Sequence, residues 1–307
     1  MPVTFPLAIT VDVHPNDNAM SIRRCVDFLA HRNISATFLI STAILQKPQE
    51  RAAIKSGGGS HELGTHAHQH DADEIRSLVS GGNGQLNFLR ASKESFEDSF
   101  GYSPRSFRSP TWCGLGSAAI DELVRLGYRV DCSSTPQRPG ILSSYPLENP
   151  WLLSSRKVNW LRLELLEIPT STFLLPLASP SFAMLGRHVS KLLVKLLMVE
   201  ARKAADHALV LSFDIEDFDR YRGFAKATKN WRDLMPLTSG GLQWRYWLRT
   251  YDPEERFQIT LALFELLKGK EFVRLSDIYS VVQGVSRIPL ESAEFRNTHE
   301  VSVRGLT

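Results

Sequence analysis

Short apolar runs alternate with stretches of helical period along most of the chain, the pattern of βαβ units joined into a mainly parallel sheet. The run Leu7–Asp12 (LAITVD) reads as a first strand. Behind it, Ile22, Cys25, Val26 and Leu29 fall at i, i+3, i+4 and i+7, one apolar stripe of a helix that faces a sheet. Ala36–Ile40 (ATFLI) is a second strand by composition. After the glycine turn Gly57–Gly59, a polar helix is apolar at Leu86, Leu89 and Phe96. A short strand is expected near Ser106–Arg108, then a helix over 117–126 and a strand over Tyr128–Asp131. Leu165–Ile168 and Leu209–Phe213 read as later strands. Between them the spacing predicts a long helix with Val189, Leu192, Leu193, Leu196 and Leu197 on one face. A last helix (256–268) leads into the apolar run Phe272–Leu275.

Two stretches break this rhythm. Residues 170–187 are apolar, proline-interrupted and too irregular for a helix; residues 230–247 contain Trp231, Trp244 and Trp247 around Gly240-Gly241. Long insertions of this kind serve as binding loops or as extra core over a barrel end. The length of 307 residues fits one large domain, placed at 1–283, with a weakly patterned extension at 284–307.

Composition narrows the function classes. Hydrophobic residues make up 43% and charged residues 22%, which gives enough apolar material for a sizeable core. The formal net charge is only +3 and there is no long Lys/Arg run, so nucleic acid is not the expected partner. Arg156-Lys157 and Arg220, Arg222, Lys226 and Lys229 form either a basic rim or solvated surface charge. Cys25, Cys113 and Cys132 lack a paired spacing and read as thiols of a reducing compartment. With no leader pattern and no membrane-length apolar stretch, a cytoplasmic protein without stable membrane insertion is expected. Oligomerisation is left open.

Four features bear on chemistry. His66 and His70 stand four residues apart, a spacing that brings two imidazoles together on a helix. Asp12 and His14 point the same way at the end of the first strand, suiting a base beside a metal ligand. The same Asp also suits a plain turn cap before Pro15-Asn16-Asp17. Arg108, in Phe107-Arg108-Ser109-Pro110-Thr111-Trp112, is placed to hold a carboxylate or to make a surface salt bridge. Asp131 ends another short strand.

In their order along the chain these features resemble the polysaccharide deacetylase, or NodB-homology, family. Ile9-Thr10-Val11-Asp12-Val13-His14 is similar to its first motif, and Ala36-Thr37-Phe38-Leu39 to the strand that follows. His61-Glu62-Leu63-Gly64-Thr65-His66-Ala67-His68-Gln69-His70 resembles its second motif, and Phe107-Arg108-Ser109-Pro110 its third. Asp131-Cys132-Ser133-Ser134 and Glu167-Ile168-Pro169 resemble later segments, so the resemblance spans roughly 7–215. It implies a distorted, incomplete β/α barrel and hydrolysis of an N-acyl group on an amino sugar of a glycan or glycan precursor. It implies a divalent metal, most simply Zn²⁺, on His14, His66 and His70. Asp12 would be the base, Arg108 its orienting partner, and Thr111 a backbone donor to the oxyanion, with Trp112, Asp131 and Glu216 near the substrate.

Two departures stand out. His14 occupies a place where the family commonly has an acidic ligand. Leu211-Ser212-Phe213-Asp214-Ile215-Glu216 stands where the family has a histidine that protonates the leaving amine. Asp214 or Glu216 fills that role only if burial raises its pKa towards neutrality. The alternatives are a barrel that binds a glycan or protein without turnover, and a different metal hydrolase reading His66-Ala67-His68 as an H-x-H pair.

Overall fold

The computed structural model describes residues 5–81, 86–136, 155–173, 175–203, 207–221 and 252–286. The tryptophan-rich stretch 230–247, the cations Arg222, Lys226 and Lys229, and the extension beyond residue 286 lie outside them.

The chain opens with β1 (Leu7–Val13), α1 (Ala19–Ala30), β2 (Thr37–Ile40), α2 (Pro48–Gly57) and β3 (Glu62–Thr65). It continues through α3 (Ala72–Ser80), α4 (Asn87–Phe100), β4 (Ser106–Phe107), α5 (Ser117–Arg125) and β5 (Val130–Asp131). Then come β6 (Asn159–Arg162), β7 (Leu165–Glu167), the small hairpin β8 (Thr172–Phe173) and β9 (Leu175–Pro176), and α6 (Ser179–Lys203). β10 (Leu209–Asp214), α7 (Pro253–Leu266) and α8 (Leu275–Ser286) complete the described chain.

All seven residues of β1 are buried, as a strand covered on both faces must be. It pairs in parallel with β10 on one side and β2 on the other, and the sheet runs β10-β1-β2-β3-β4-β5-β7-β6. Only β6 is antiparallel. Every other strand of this curled sheet therefore ends on the same side, where α/β folds of this kind carry their sites. The open flank of β10 is covered by the chain after β7: Ser171 N–H donates to the Val210 carbonyl (3.1 Å), and Ala178 bridges Ser212. The result is the distorted, incomplete β/α barrel that the motifs implied.

One face of the sheet packs against α1, α2, α6 and α7 around Phe28, Phe213, Phe218 and Phe264, whose rings meet edge-on or tilted at 5.2–6.0 Å. Gly64 in β3 is required by close approach: a Cβ there would stand 2.5 Å from the Ser106 carbonyl of the neighbouring strand.

Several expectations are corrected. Residues 170–187 are not irregular throughout: they form β8 and β9, then start α6, with Leu177, Phe182 and Ala183 in the core. The core face of α6 is Ser190, Val194, Leu197, Met198 and Ala201, whereas Val189, Leu192 and Leu196 face outward. The single polar helix expected before β4 is two, α3 and α4. After α7, Val273 N–H bonds the Leu7 carbonyl (2.9 Å) before α8 begins. Cys25, Cys113 and Cys132 are buried and none forms a disulfide.

Candidate metal and acid–base site

Parallel pairing delivers the candidate residues to one place. Asp12 and Asp214 are register partners on β1 and β10. His66 follows β3, whose last residue Thr65 is the register partner of Phe107 in β4, and Arg108 follows Phe107.

The loop after β3 is built to present His70. Ala67 and His70 both adopt left-handed backbone (φ 58° and 61°), which costs about 1–3 kcal/mol each and needs support. Glu74, 5% exposed in the first turn of α3, supplies it. Its carboxylate accepts the backbone N–H groups of His68 (3.3 Å), Gln69 (2.8 Å) and His70 (2.9 Å). α3 is itself started by the Asp71 side chain, which accepts from the Asp73 and Glu74 N–H groups.

His14, His66 and His70 then converge, with ring centroids 4.7–5.5 Å apart and one nitrogen of each within 4.8 Å of the others. His66 Nδ1 lies 3.0 Å from the Arg108 carbonyl, which can only accept, so the proton sits on Nδ1 and Nε2 is left as a ligand atom. His70 Nε2 is buried and makes no hydrogen bond. A buried imidazole nitrogen left with an idle lone pair beside two others fits a cation, and three imidazoles are a donor set for Zn²⁺. Burial pushes His66 well down, helped by its histidine neighbours, and pushes His70 down to about 4. Both are neutral and ready as ligands at pH 7. His14 differs: although burial opposes the charge, Asp214, 3.5 Å away, holds it protonated up to about 9.

Asp12 is 2% exposed and accepts from Arg108 Nη1 at 2.7 Å. Burial raises its carboxyl above the ordinary range, against the pull of the Arg108 guanidinium. Arg108 is fully buried and each of its three nitrogens is bonded: Nε to the Cys132 carbonyl (3.1 Å), Nη1 also to Ser212 Oγ (2.7 Å), Nη2 to Thr10 Oγ1 (2.9 Å). It is a buried clamp and not a surface ion pair.

The condition set for Asp214 as proton donor is not met. Burial pushes its carboxyl up, but the hydrogen bond and charge of His14, with Arg256, more than offset this and hold it well below the carboxylate range. Glu216 accepts from Arg256 Nη1 (3.2 Å). Arg256, on α7, also bonds Asp217 Oδ1 and Ser179 Oγ, tying that helix to the end of β10. Asp131 is fully buried; its Oδ1 accepts from Ser133 Oγ (2.5 Å), which in turn accepts from the Ser109 N–H (2.8 Å) and so fixes the turn after Arg108. In that turn Thr111 and Trp112 both have left-handed backbone (φ 54° and 52°), and the Trp112 ring lies 5.8 Å from the Arg108 guanidinium. His61 is buried with Nδ1 accepting from the Ala36 N–H, and His68 Nδ1 bonds Thr42 Oγ1, so His70 and not His68 joins His66.

Sequence reasoning missed Thr10, Ser212, Glu74 and Arg256. Period-two spacing before Asp12 and Asp214 pointed at the first two. Nothing local marked Arg256.

Residues 4–130 match the polysaccharide deacetylase family. That stretch holds Asp12, His14, His66, His70 and Arg108, so the resemblance read from the motifs is borne out. No curated protein matches the chain. Among solved structures, a Mycobacterium smegmatis protein assigned as a polysaccharide deacetylase is similar with TM-score 0.55 at 13% identity, covering 96% of each chain. At that identity it shows the shared fold. A family 4 carbohydrate esterase pseudoenzyme from Bacillus anthracis has TM-score 0.48 at 9% identity, covering 91% of this chain and 66% of its own. A polysaccharide deacetylase from Bacillus cereus has TM-score 0.47 at 12% identity, covering 89% and 94%.

Proposed function

We propose that this polysaccharide deacetylase-like barrel is a metal-dependent hydrolase that removes an N-acetyl or N-formyl group from an amino sugar. The observation that carries the reading is the convergence of three imidazoles beside a buried carboxylate whose orientation is fixed by a buried arginine. When held by His14, His66 and His70, a divalent cation, most simply Zn²⁺, supplies Lewis acidity to the acyl carbonyl and to water. Asp12 takes the proton of the attacking water; burial raises its basicity while Arg108 keeps it from rotating away. Arg108 spends its donors inside the protein, so it positions Asp12 and does not reach substrate. Half-buried Trp112 offers a flat face to a sugar ring beside that pair.

A second reading is favoured by one observation: Asp214 is held as an acceptor for His14, and Leu211–Glu216, where the family's proton-donating histidine stands, contains no histidine. On that reading the barrel binds an acylated glycan without turning it over.

Amine release from N-acetyl- and N-formyl-glucosamine oligosaccharides by zinc-loaded protein separates the two. Turnover that falls by about 10²–10⁴ in Asp12→Asn supports the hydrolase. Zinc uptake and glycan binding without turnover supports the binding protein.

A further inference from the structure

The second part of α6 carries an apolar stripe that lies outside the core formed by the described residues. Val189, Leu192, Leu196 and Val199 are 44%, 55%, 46% and 49% exposed. Their spacing of three, four and three residues places them on one helical face, about 15 Å long at the rise of an α-helix. The segment is not loose, because Ser190, Val194, Leu197, Met198 and Ala201 anchor its opposite side in the core. A left-handed Gly186 (φ 69°) bends the helix just before the stripe, separating it from the buried start at Ser179–Ala183.

The charges around the stripe are one-sided. Arg187, Lys191, Lys195, Arg202 and Lys203 lie on this segment, and none of them makes an ion pair among the described residues. At 100° per residue, Lys191, Lys195 and Arg202 share one flank of the stripe. The only acid on the segment, Glu200, is already held by both terminal nitrogens of Arg156 at 2.7 Å.

We propose that this face of α6 docks on the surface of an anionic lipid membrane, with the stripe at the boundary between headgroups and acyl chains and the cations at the headgroups. An exposed aliphatic stripe beside uncompensated cations is the chemistry that such a surface recognises. Among the described residues no helix is long and apolar enough to cross a membrane, so the contact is peripheral. A second copy laid stripe to stripe would bring a segment whose only unpaired charges among the described residues are also positive. Nucleic acid would satisfy the cations and leave four aliphatic side chains in water.

The test is co-sedimentation of the full chain with vesicles of phosphatidylcholine alone or mixed with phosphatidylglycerol, with oligomeric state followed by light scattering. Binding is expected to the anionic vesicles only, and to weaken as salt rises. Leu192→Gln with Leu196→Gln should reduce it at least tenfold. Lys191→Gln with Lys195→Gln should reduce it about twenty-five-fold, at about fivefold per cation near an anionic surface. All four positions lie outside the core, and unchanged circular dichroism would confirm that the variants fold. No binding to anionic vesicles, equal binding to both kinds, or indifference to both pairs would overturn the proposal. So would a wild-type dimer that the leucine pair dissolves while vesicles go unbound, which would identify a second copy as the occupant.

Discussion

Arg108 lies inside the barrel with no exposed surface, held by four hydrogen bonds to Asp12, Ser212, Thr10 and the Cys132 carbonyl. A buried charge of this kind makes its removal costly, because the partner carboxylate is left uncompensated. Arg108→Ala should lower the unfolding free energy by about 3–5 kcal/mol in chemical denaturation. Arg108→Lys keeps the charge but loses the fork, and should recover stability without restoring the fixed geometry of Asp12. His14 gives a pH prediction. Its folded pKa, about 9, is above the ordinary histidine value, so its pair with Asp214 stabilises the metal-free protein fully below that ordinary value. That contribution fades as pH rises through about 9. The same proton must leave before the nitrogen can bind a cation, so zinc affinity should rise roughly tenfold per pH unit below about pH 9. Titration calorimetry at several pH values checks this, and Asp214→Asn should shift the rise to lower pH. Affinity that is flat with pH in the wild type would remove His14 from the ligand set.

Elements place these residues, and their phases are where sequence reasoning divided. β1 was legible because Leu7, Ala8, Ile9 and Val11 make a short apolar run before a turn, and the structure buries all seven residues of Leu7–Val13. α1 was legible because Ile22, Cys25, Val26 and Leu29 all turn inward. α6 was not, because leucines and valines cover more than one side of it, and periodicity alone cannot say which side meets the sheet. The structure chooses the face with Val194. Val194→Ala should therefore cost about 2 kcal/mol in thermal or chemical unfolding, and Leu196→Ala no more than about 0.5 kcal/mol. Equal costs would contradict the assigned face. The loop after β3 depends on Glu74, which satisfies three N–H groups at once. Glu74→Ala should weaken zinc binding about 10–100-fold by loosening His70, with Glu74→Gln intermediate. In β3, Gly64→Ala should destabilise the sheet by about 1–3 kcal/mol, since the nearest atom to the new Cβ is a backbone oxygen of the neighbouring strand and not the end of a flexible side chain.

At the scale of the whole molecule, one arrangement does most of the positioning. Parallel pairing of β10, β1, β2, β3 and β4 brings residues from far apart in the chain to the same rim, with Asp12 opposite Asp214. The candidate ligands were legible because each sits at a strand end within a short motif. The supports were not, because Arg256 meets Asp217 from a helix 39 residues further on, and Thr10 and Ser212 serve Arg108 across the sheet. The lack of a histidine within Leu211–Glu216 was legible in the sequence. Only the structure shows that Asp214 serves as partner to His14 instead. The central claim is that His14, His66 and His70 form a cation site. Elemental analysis of the purified chain and of a His66→Ala, His70→Ala double variant, each equilibrated with zinc and then dialysed, tests it most directly. About one zinc per wild-type chain, lost in the folded variant, is the predicted result. A folded wild-type chain that retains no zinc would contradict the account, and the three imidazoles would then stand as a packed polar cluster with no metal chemistry.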